Sequence, residues 1–436
     1  MAKEDSTRAL LQFIEESVSP FHSVEAGARF LAANGFAELL LDEVWKLKKG
    51  GRYYMRVYGS SLIAFAVGRN PRSGLRIAAA HTDFPCLRVK PAAAVSANGY
   101  GKVNVEIYGG MIRSTWMDRP LSLAGKAVLR GKDAFHPQVR LVDFARPLMT
   151  IPSLAIHMNR KVNEGVELNP QKDMLPLLTM AAGKEAEADF FLGLLAEELS
   201  CRQEEILSYE LTVYPVEAGC TLGAKQEFIS SPRLDNLTSV KACLSGLVHA
   251  VKPDGIEAAA LFDNEEVGSR TKQGAGSLLL PMLLERLYLG LGYTREAYLQ
   301  DVAGGFMLSV DVAHAMHPNV PEKNDITNKP VLNGGVALKI ASSQAYAGDG
   351  EAAAVAAALC RQAKIPYQYF VNRSDEKGGA TLGSILSALL PMRTMDIGVP
   401  ILAMHSVREM MGNEDQAYLE ALVQTFFSGR RKNNDI

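Results

Sequence analysis

The hydrophobic pattern of the chain changes character near Pro91 and again after Leu222. Before Pro91, Leu10, Leu11, Phe13 and Ile14 recur at helical spacing within residues 7–16, and residues 24–33 repeat that pattern as far as Gly35. Residues 52–58 and 62–67 are β-rich runs separated by Gly59-Ser60-Ser61, which predicts a hairpin. Residues 75–80, apolar after Arg76, predict a third strand that ends at His81-Thr82-Asp83.

From 91 to 222 the predicted strands are short and punctuated by turn signals: 103–108, 121–129, 139–142 and 209–214, with one helix over 184–198. From Arg233 the pattern alternates regularly. A helix over 237–251 precedes the strand 258–262, and a helix over 276–291 precedes the strand 306–310, which ends at Asp311. A helix over 350–363 precedes a strand over 367–372, the run 401–404 leads into His405, and 414–427 is the last helix. The fold class expected is α/β, a mostly parallel sheet covered by helices. It would be built from residues 1–90 and 223–436, with a β-rich domain, 91–222, inserted. There is no internal repeat.

Composition narrows this picture only slightly. A chain of 436 residues is long for one core, and 47% apolar with 22% charged residues is the balance of a soluble globular protein. A net charge of -2 leaves no electrostatic footprint for nucleic acid, and the basic clusters at 46–52 and 430–432 are short. The most apolar predicted helix, 278–291, is broken by Pro281, Glu285 and Arg286, so no membrane span is expected. Five cysteines without Cys-x-x-Cys spacing, and an N-terminus without a signal-peptide core, suit a reducing cytoplasm.

The chemistry gathers where apolar runs stop. The run 258–262 halts at Asp263-Asn264-Glu265-Glu266, and adjacent carboxylates at the carboxyl end of a strand face the ligand side of an open α/β sheet. Glu265 and Glu266 repel each other, and a divalent metal would remove that cost and divide their roles, one ligating and the other taking a proton. His81, Asp235, Asp311 and His405 fall at similar points. Singly, each has another reading: Asp235 before Asn236-Leu237 fits a helix N-cap, Asp311 a turn residue, each histidine a hydrogen-bonded rim group. Together they form a nitrogen and oxygen ligand set suited to zinc, cobalt or manganese. Asp83 is placed to accept the other ring N–H of His81, and Asp235 is the best bridge between two metals.

The segments 80–90, Ser231-Pro232-Arg233-Leu234-Asp235-Asn236-Leu237, 262–269, 309–319 and His405-Ser406-Val407-Arg408-Glu409-Met410 closely resemble the M18 family of zinc aminopeptidases, the aspartyl aminopeptidase family, in order along residues 7–427. The resemblance implies a zinc-exopeptidase-like catalytic domain and two divalent metal ions, with His81 and Asp311 on one, Glu266 and His405 on the other, and Asp235 bridging. Glu265 would be the general base for the attacking water. It also implies that the inserted domain is a dimerisation domain and that dimers assemble into dodecamers. His157, in Ile151-Pro152-Ser153-Leu154-Ala155-Ile156-His157, would reach the neighbouring subunit's active site, bind substrate there and stabilise the tetrahedral oxyanion; its other reading is the rim of a dimer contact.

Lys339 falls where the resemblance places a basic residue in the side-chain pocket of acid-preferring members; a solvated lysine at a strand end is the other reading. The loop 374–379, with Asp375 and Glu376, departs from the acid-specific members, so neutral N-terminal residues stay open. The expected substrates are peptides with a free N-terminus. The competing readings are a metal-dependent amidohydrolase of related architecture and a non-catalytic assembly protein on the same fold.

Overall fold

The computed structural model describes residues 3–181, 189–251 and 254–428. They form two compact units: one comprises the chain up to Asp83, Gly219–Met404 and the chain from Glu409, the other Phe84–Ala218 and His405–Arg408.

The first unit is organised by a nine-stranded sheet whose central strands are small and apolar. Ile256–Phe262 is buried along its whole length and runs parallel to Leu75–His81, pairing Ala259 with Ala78, Ala260 with Ala79 and Phe262 with His81. Phe306–Val310 and Arg393–Gly398 continue the parallel set. On one flank Ser61–Val67 and Arg52–Val57 are added antiparallel; on the other Val336–Ile340 runs antiparallel to Arg393–Gly398, with Tyr367–Val371 parallel beside it. The sheet is therefore mostly parallel, and its antiparallel flanks include the predicted hairpin. Strands 336–340 and 393–398 are additions to the predicted set.

Alternate residues of these strands (Met55, Ile63, Ile77, Ala79, Ala258, Ala260) pack against Leu280, Leu283, Leu284 and Leu287 of the helix Leu279–Gly290. Leu234–Val248 is buried on every turn even though it carries polar residues, and these find partners inside: the Thr238 hydroxyl donates to the Leu234 carbonyl (2.8 Å) and Lys241 pairs with Glu420 (3.6 Å). A second, five-stranded sheet in this unit joins Cys220–Leu222, Phe228–Ser231, Glu409–Gly412, Pro400–Leu402 and Ala313–His314. The run 401–404 was expected to be one strand delivering His405. Pro400–Leu402 is instead a short strand of this smaller sheet, and residues 403–408 form turns with Ala403 and His405 at positive φ.

The second unit is a six-stranded antiparallel sheet, ordered Gln138–Asp143, Leu121–Leu129, Ile206–Pro215, Cys86–Ala97, Tyr100–Tyr108 and Leu177–Met180. Helix Phe190–Leu199 covers one face through Phe191, Leu195 and Leu199. The predicted helix over 184–198 begins outside the described residues, and the basic cluster at 430–432 lies wholly outside them. Among the described residues no helix is long and apolar enough to cross a membrane.

Candidate metal centre

The centre forms where the parallel strands of the first unit end. Thr82 follows strand Leu75–His81 and is fixed twice, its N–H donating to the Phe262 carbonyl (2.7 Å) and its hydroxyl to the Ser60 carbonyl (2.7 Å). This locks the His81 ring, which is 1% exposed, at the sheet edge. Its Nδ1 lies 3.0 Å from the Asp83 backbone carbonyl, whereas the Asp83 carboxylate is 3.5 Å away. Asp83 was expected to hold the ring through its carboxylate. That carboxylate does face the ring, and it also accepts the backbone N–H groups of Glu265 (3.1 Å) and Glu266 (3.2 Å), while the chain reversal after His81 brings the Asp83 carbonyl to the ring as well. Asp83 thus meets the ring with its carbonyl and its carboxylate, and holds the acidic turn with that same carboxylate.

The turn itself begins from Asn264 in the left-handed region (φ 65°), a conformation asparagine tolerates, and ends at Gly268 (φ 97°), where a side chain would be strained. Asp235 is held differently. It opens the helix Leu234–Val248 with non-helical angles, is joined to Asn236 by a cis peptide, and donates its N–H to the buried Glu409 carboxylate (3.0 Å). Asn236 donates to the Val310 carbonyl (2.9 Å), tying this turn to the strand that ends beside Asp311. Asp311 donates its N–H to the Ile397 carbonyl, and only glycine fits at 398, because a Cβ there would lie 1.7 Å from the Asp311 carbonyl oxygen.

His81 Nε2 lies 3.4 Å from Asp235, 3.5 Å from Asp311 Oδ1 and 4.0 Å from Glu265. His81, Asp235 and Glu266 each offer a ligand atom, all within 4.8 Å of one another. Burial alone would depress the His81 imidazole, but Asp235, Asp311 and Asp83 outweigh it, with help from Glu265, and hold the ring well above its ordinary value. The carboxylates that draw a proton onto this ring are those that would draw a cation. Burial pushes the Glu265 carboxyl up to about 8; His81 opposes the shift and Asp311, Asp83 and Asp235 add to it. So many carboxylates around one imidazole cannot all be ionised at low cost without added positive charge, and the donor set fits hard or borderline divalent cations.

Lys339 lies on the same side of the sheet, 2% exposed, with Nζ 3.5 Å from Asp311 Oδ2 and 5.2 Å from the Tyr346 ring centroid. Its burial excludes the alternative reading of a solvated lysine. Asp375 and Glu376 are engaged locally: Asp375 takes two hydrogen bonds from Arg373 (2.6 and 2.9 Å), and Glu376 pairs with Lys323 (3.0 Å). His405 and His157 belong to the second unit. His405 is half-buried with Nδ1 3.0 Å from the Gly110 carbonyl, and His157 is exposed in the segment 151–160. Glu409, Asn236 and Asp396 were not singled out from sequence. Glu409 lies within one of the quoted motifs, so its signal was present; Asp396 in Thr-Met-Asp-Ile carried none.

Comparison with known proteins gives a consistent answer. The family model for the aminopeptidase I zinc metalloproteases, M18, matches residues 13–427. The probable M18 family aminopeptidase 2 of Clostridium acetobutylicum is 45% identical over 424 residues, covering 97% of this chain and 98% of that one. Among solved structures, the chain is similar to one in the cryo-EM complex of Ape4 and Nbr1 (TM-score 0.93, 34% identity, 98% of this chain and 86% of that one). It is also similar to the S. cerevisiae mApe1 dodecamer (TM-score 0.84, 26% identity, 98% and 97%).

Proposed function

The chain belongs to the M18 family of zinc metalloproteases and is an aminopeptidase, and from that premise we propose that it removes the N-terminal residue of peptides at a two-metal centre in which Glu265 is the general base. The observation that carries this reading is the convergence of His81, Asp235 and Glu266 within 4.8 Å, with Asp311 3.5 Å from the same imidazole nitrogen.

His81 and Asp311 would hold one ion, Glu266 the other, and Asp235 would lie between them. His405 enters as the second ion's histidine by its motif alone. The ions are zinc in this reading, with cobalt or manganese accepted by the same donors. When bound they supply Lewis acidity to the scissile carbonyl and acidify water to a pKa of about 7. Asp83 holds the backbone of Glu265 and Glu266, which fixes where the base stands. Glu265 would take the proton of the attacking water and return it to the departing amine. The carboxylates would bind the substrate's free α-ammonium group. An N-terminal Asp or Glu preference would rest on Lys339, and neutral residues are equally compatible with the described site.

His157 would act from a neighbouring copy, the second unit would be the dimer-forming one, and dimers would build a dodecamer in the cytoplasm. The yeast neighbour, solved as a dodecamer, supports self-assembly. The test is hydrolysis of aminoacyl anilides against their N-acetyl forms, with protein loaded with Zn²⁺, Co²⁺ or Mn²⁺ after chelation. Turnover of the free-amine substrates alone, dependent on metal, is expected; equal turnover of the acetylated forms would sink the aminopeptidase reading.

A further inference from the structure

We propose that Lys339 is a positioning residue that orients Asp311 towards the metal centre, steadied by Asp396. The inference rests on the two-metal reading above.

The two oxygens of Asp311 are divided between different partners. Oδ1 faces His81 Nε2 at 3.5 Å, and Oδ2 faces Lys339 Nζ at 3.5 Å. A carboxylate free to rotate would exchange those oxygens; an ammonium on one side selects a single orientation. Lys339 is built into the sheet, in the strand Val336–Ile340, paired on one side with Phe370 and neighbouring the strand Arg393–Gly398 on the other. The antiparallel register that pairs Leu338 with Ile397 brings Asp396, fully buried, alongside Lys339.

Asp396 is itself immobilised. Its backbone N–H donates to the Ala347 carbonyl (2.8 Å), and its carboxylate accepts the N–H of Ala347. The adjacent Tyr346 lays its ring against the lysine ammonium. Gly383 lets the start of helix Leu382–Leu389 approach, since a Cβ there would lie 2.6 Å from the Asp396 carboxylate. The lysine charge is thereby committed between two buried acids.

The experiment uses the full-length protein, chelated and then titrated with Co²⁺ and Zn²⁺ in equilibrium dialysis, as wild type, Lys339→Met and Asp396→Asn. Lys339→Met should weaken metal binding by about 10–100-fold, the usual effect of removing a group that orients a ligand. Under saturating metal it should lower kcat by a similar factor for aspartyl and leucyl substrates. Asp396→Asn should weaken metal binding in the same direction but less, and it decides the matter if the lysine variant does not fold. Lysine acting only as a repulsive charge would give tighter metal binding on replacement, and a side-chain receptor would give unchanged metal binding with a KM rise confined to aspartyl substrates. Either result overturns the inference, as would wild-type affinity in both folded variants. Failure of the wild-type protein itself to bind metal would instead defeat the two-metal reading.

Discussion

The turn that carries His81 and the segment that carries His157 show two ways of presenting a histidine. Around His81 each flanking group has a partner: Thr82 is bonded twice, the ring rests against the Asp83 carbonyl, and the Asp83 carboxylate holds two amides of the acidic turn. Around His157 the chain turns on itself through the Met158 N–H to the Ala155 carbonyl, while Leu154, Ile156 and Met158 point outward, Met158 at 73% exposure. The first region completes itself within one unit. The second displays apolar side chains beside a polar group on an exposed turn. The comparison teaches that a histidine can be held by buried, over-determined contacts or left exposed on a turn that bonds only to itself.

The largest effect expected within the buried region is that of Glu265→Gln. Removing a proton carrier should lower kcat by about 10²–10⁴-fold while bound metal, counted by elemental analysis, stays at the wild-type level. Full activity in that variant would mean the base lies elsewhere and would erase the functional half of the contrast.

The exposed region is tested by His157→Ala, which should lower kcat by about 10²–10³-fold if the imidazole stabilises the oxyanion, again without loss of metal. Mixing inactive His157→Ala chains with inactive Glu265→Gln chains should restore measurable activity, because some sites would combine intact residues from two copies. If subunit exchange is demonstrated and the mixture stays inactive, the exposed segment does not serve a neighbour.

The smallest effect concerns stability. Glu257 lies in the central strand Ile256–Phe262 at 1% exposure, and burial pushes its carboxyl up to about 8, with Arg76 opposing the shift. The folded protein therefore keeps this proton where the unfolded chain, with a carboxyl near 4.5, has lost it. Its contribution is fully present below about pH 4.5 and is lost as pH rises towards 8. Glu257→Gln should flatten that decline, seen as a urea-midpoint difference between variant and wild type that grows from pH 5 to pH 8. Parallel curves would show that the buried strand tolerates the ionised carboxylate.

Much of this was legible in the linear chain. The small, apolar runs ending before His81, Asp263 and Asp311 reveal buried parallel strands because a strand covered on both faces has few positions that tolerate polar side chains. The motifs marked the acidic turn, Asp235 and the family. The strands 336–340 and 393–398 escaped notice because Lys339 and Asp396 interrupt them, and a charged residue in a short apolar run reads as an exposed end. Only the tertiary structure pairs those strands and buries the two charges with Asp311, so that a lysine indistinguishable in sequence from a solvated one becomes part of the site. The same holds for Asp83, whose carboxylate also holds the acidic turn, and for Glu409, which meets Asp235 across 174 residues. Periodicity records which side of an element is dry, but the choice of partner for a buried charge depends on distances that exist only after strands far apart in sequence have been set side by side.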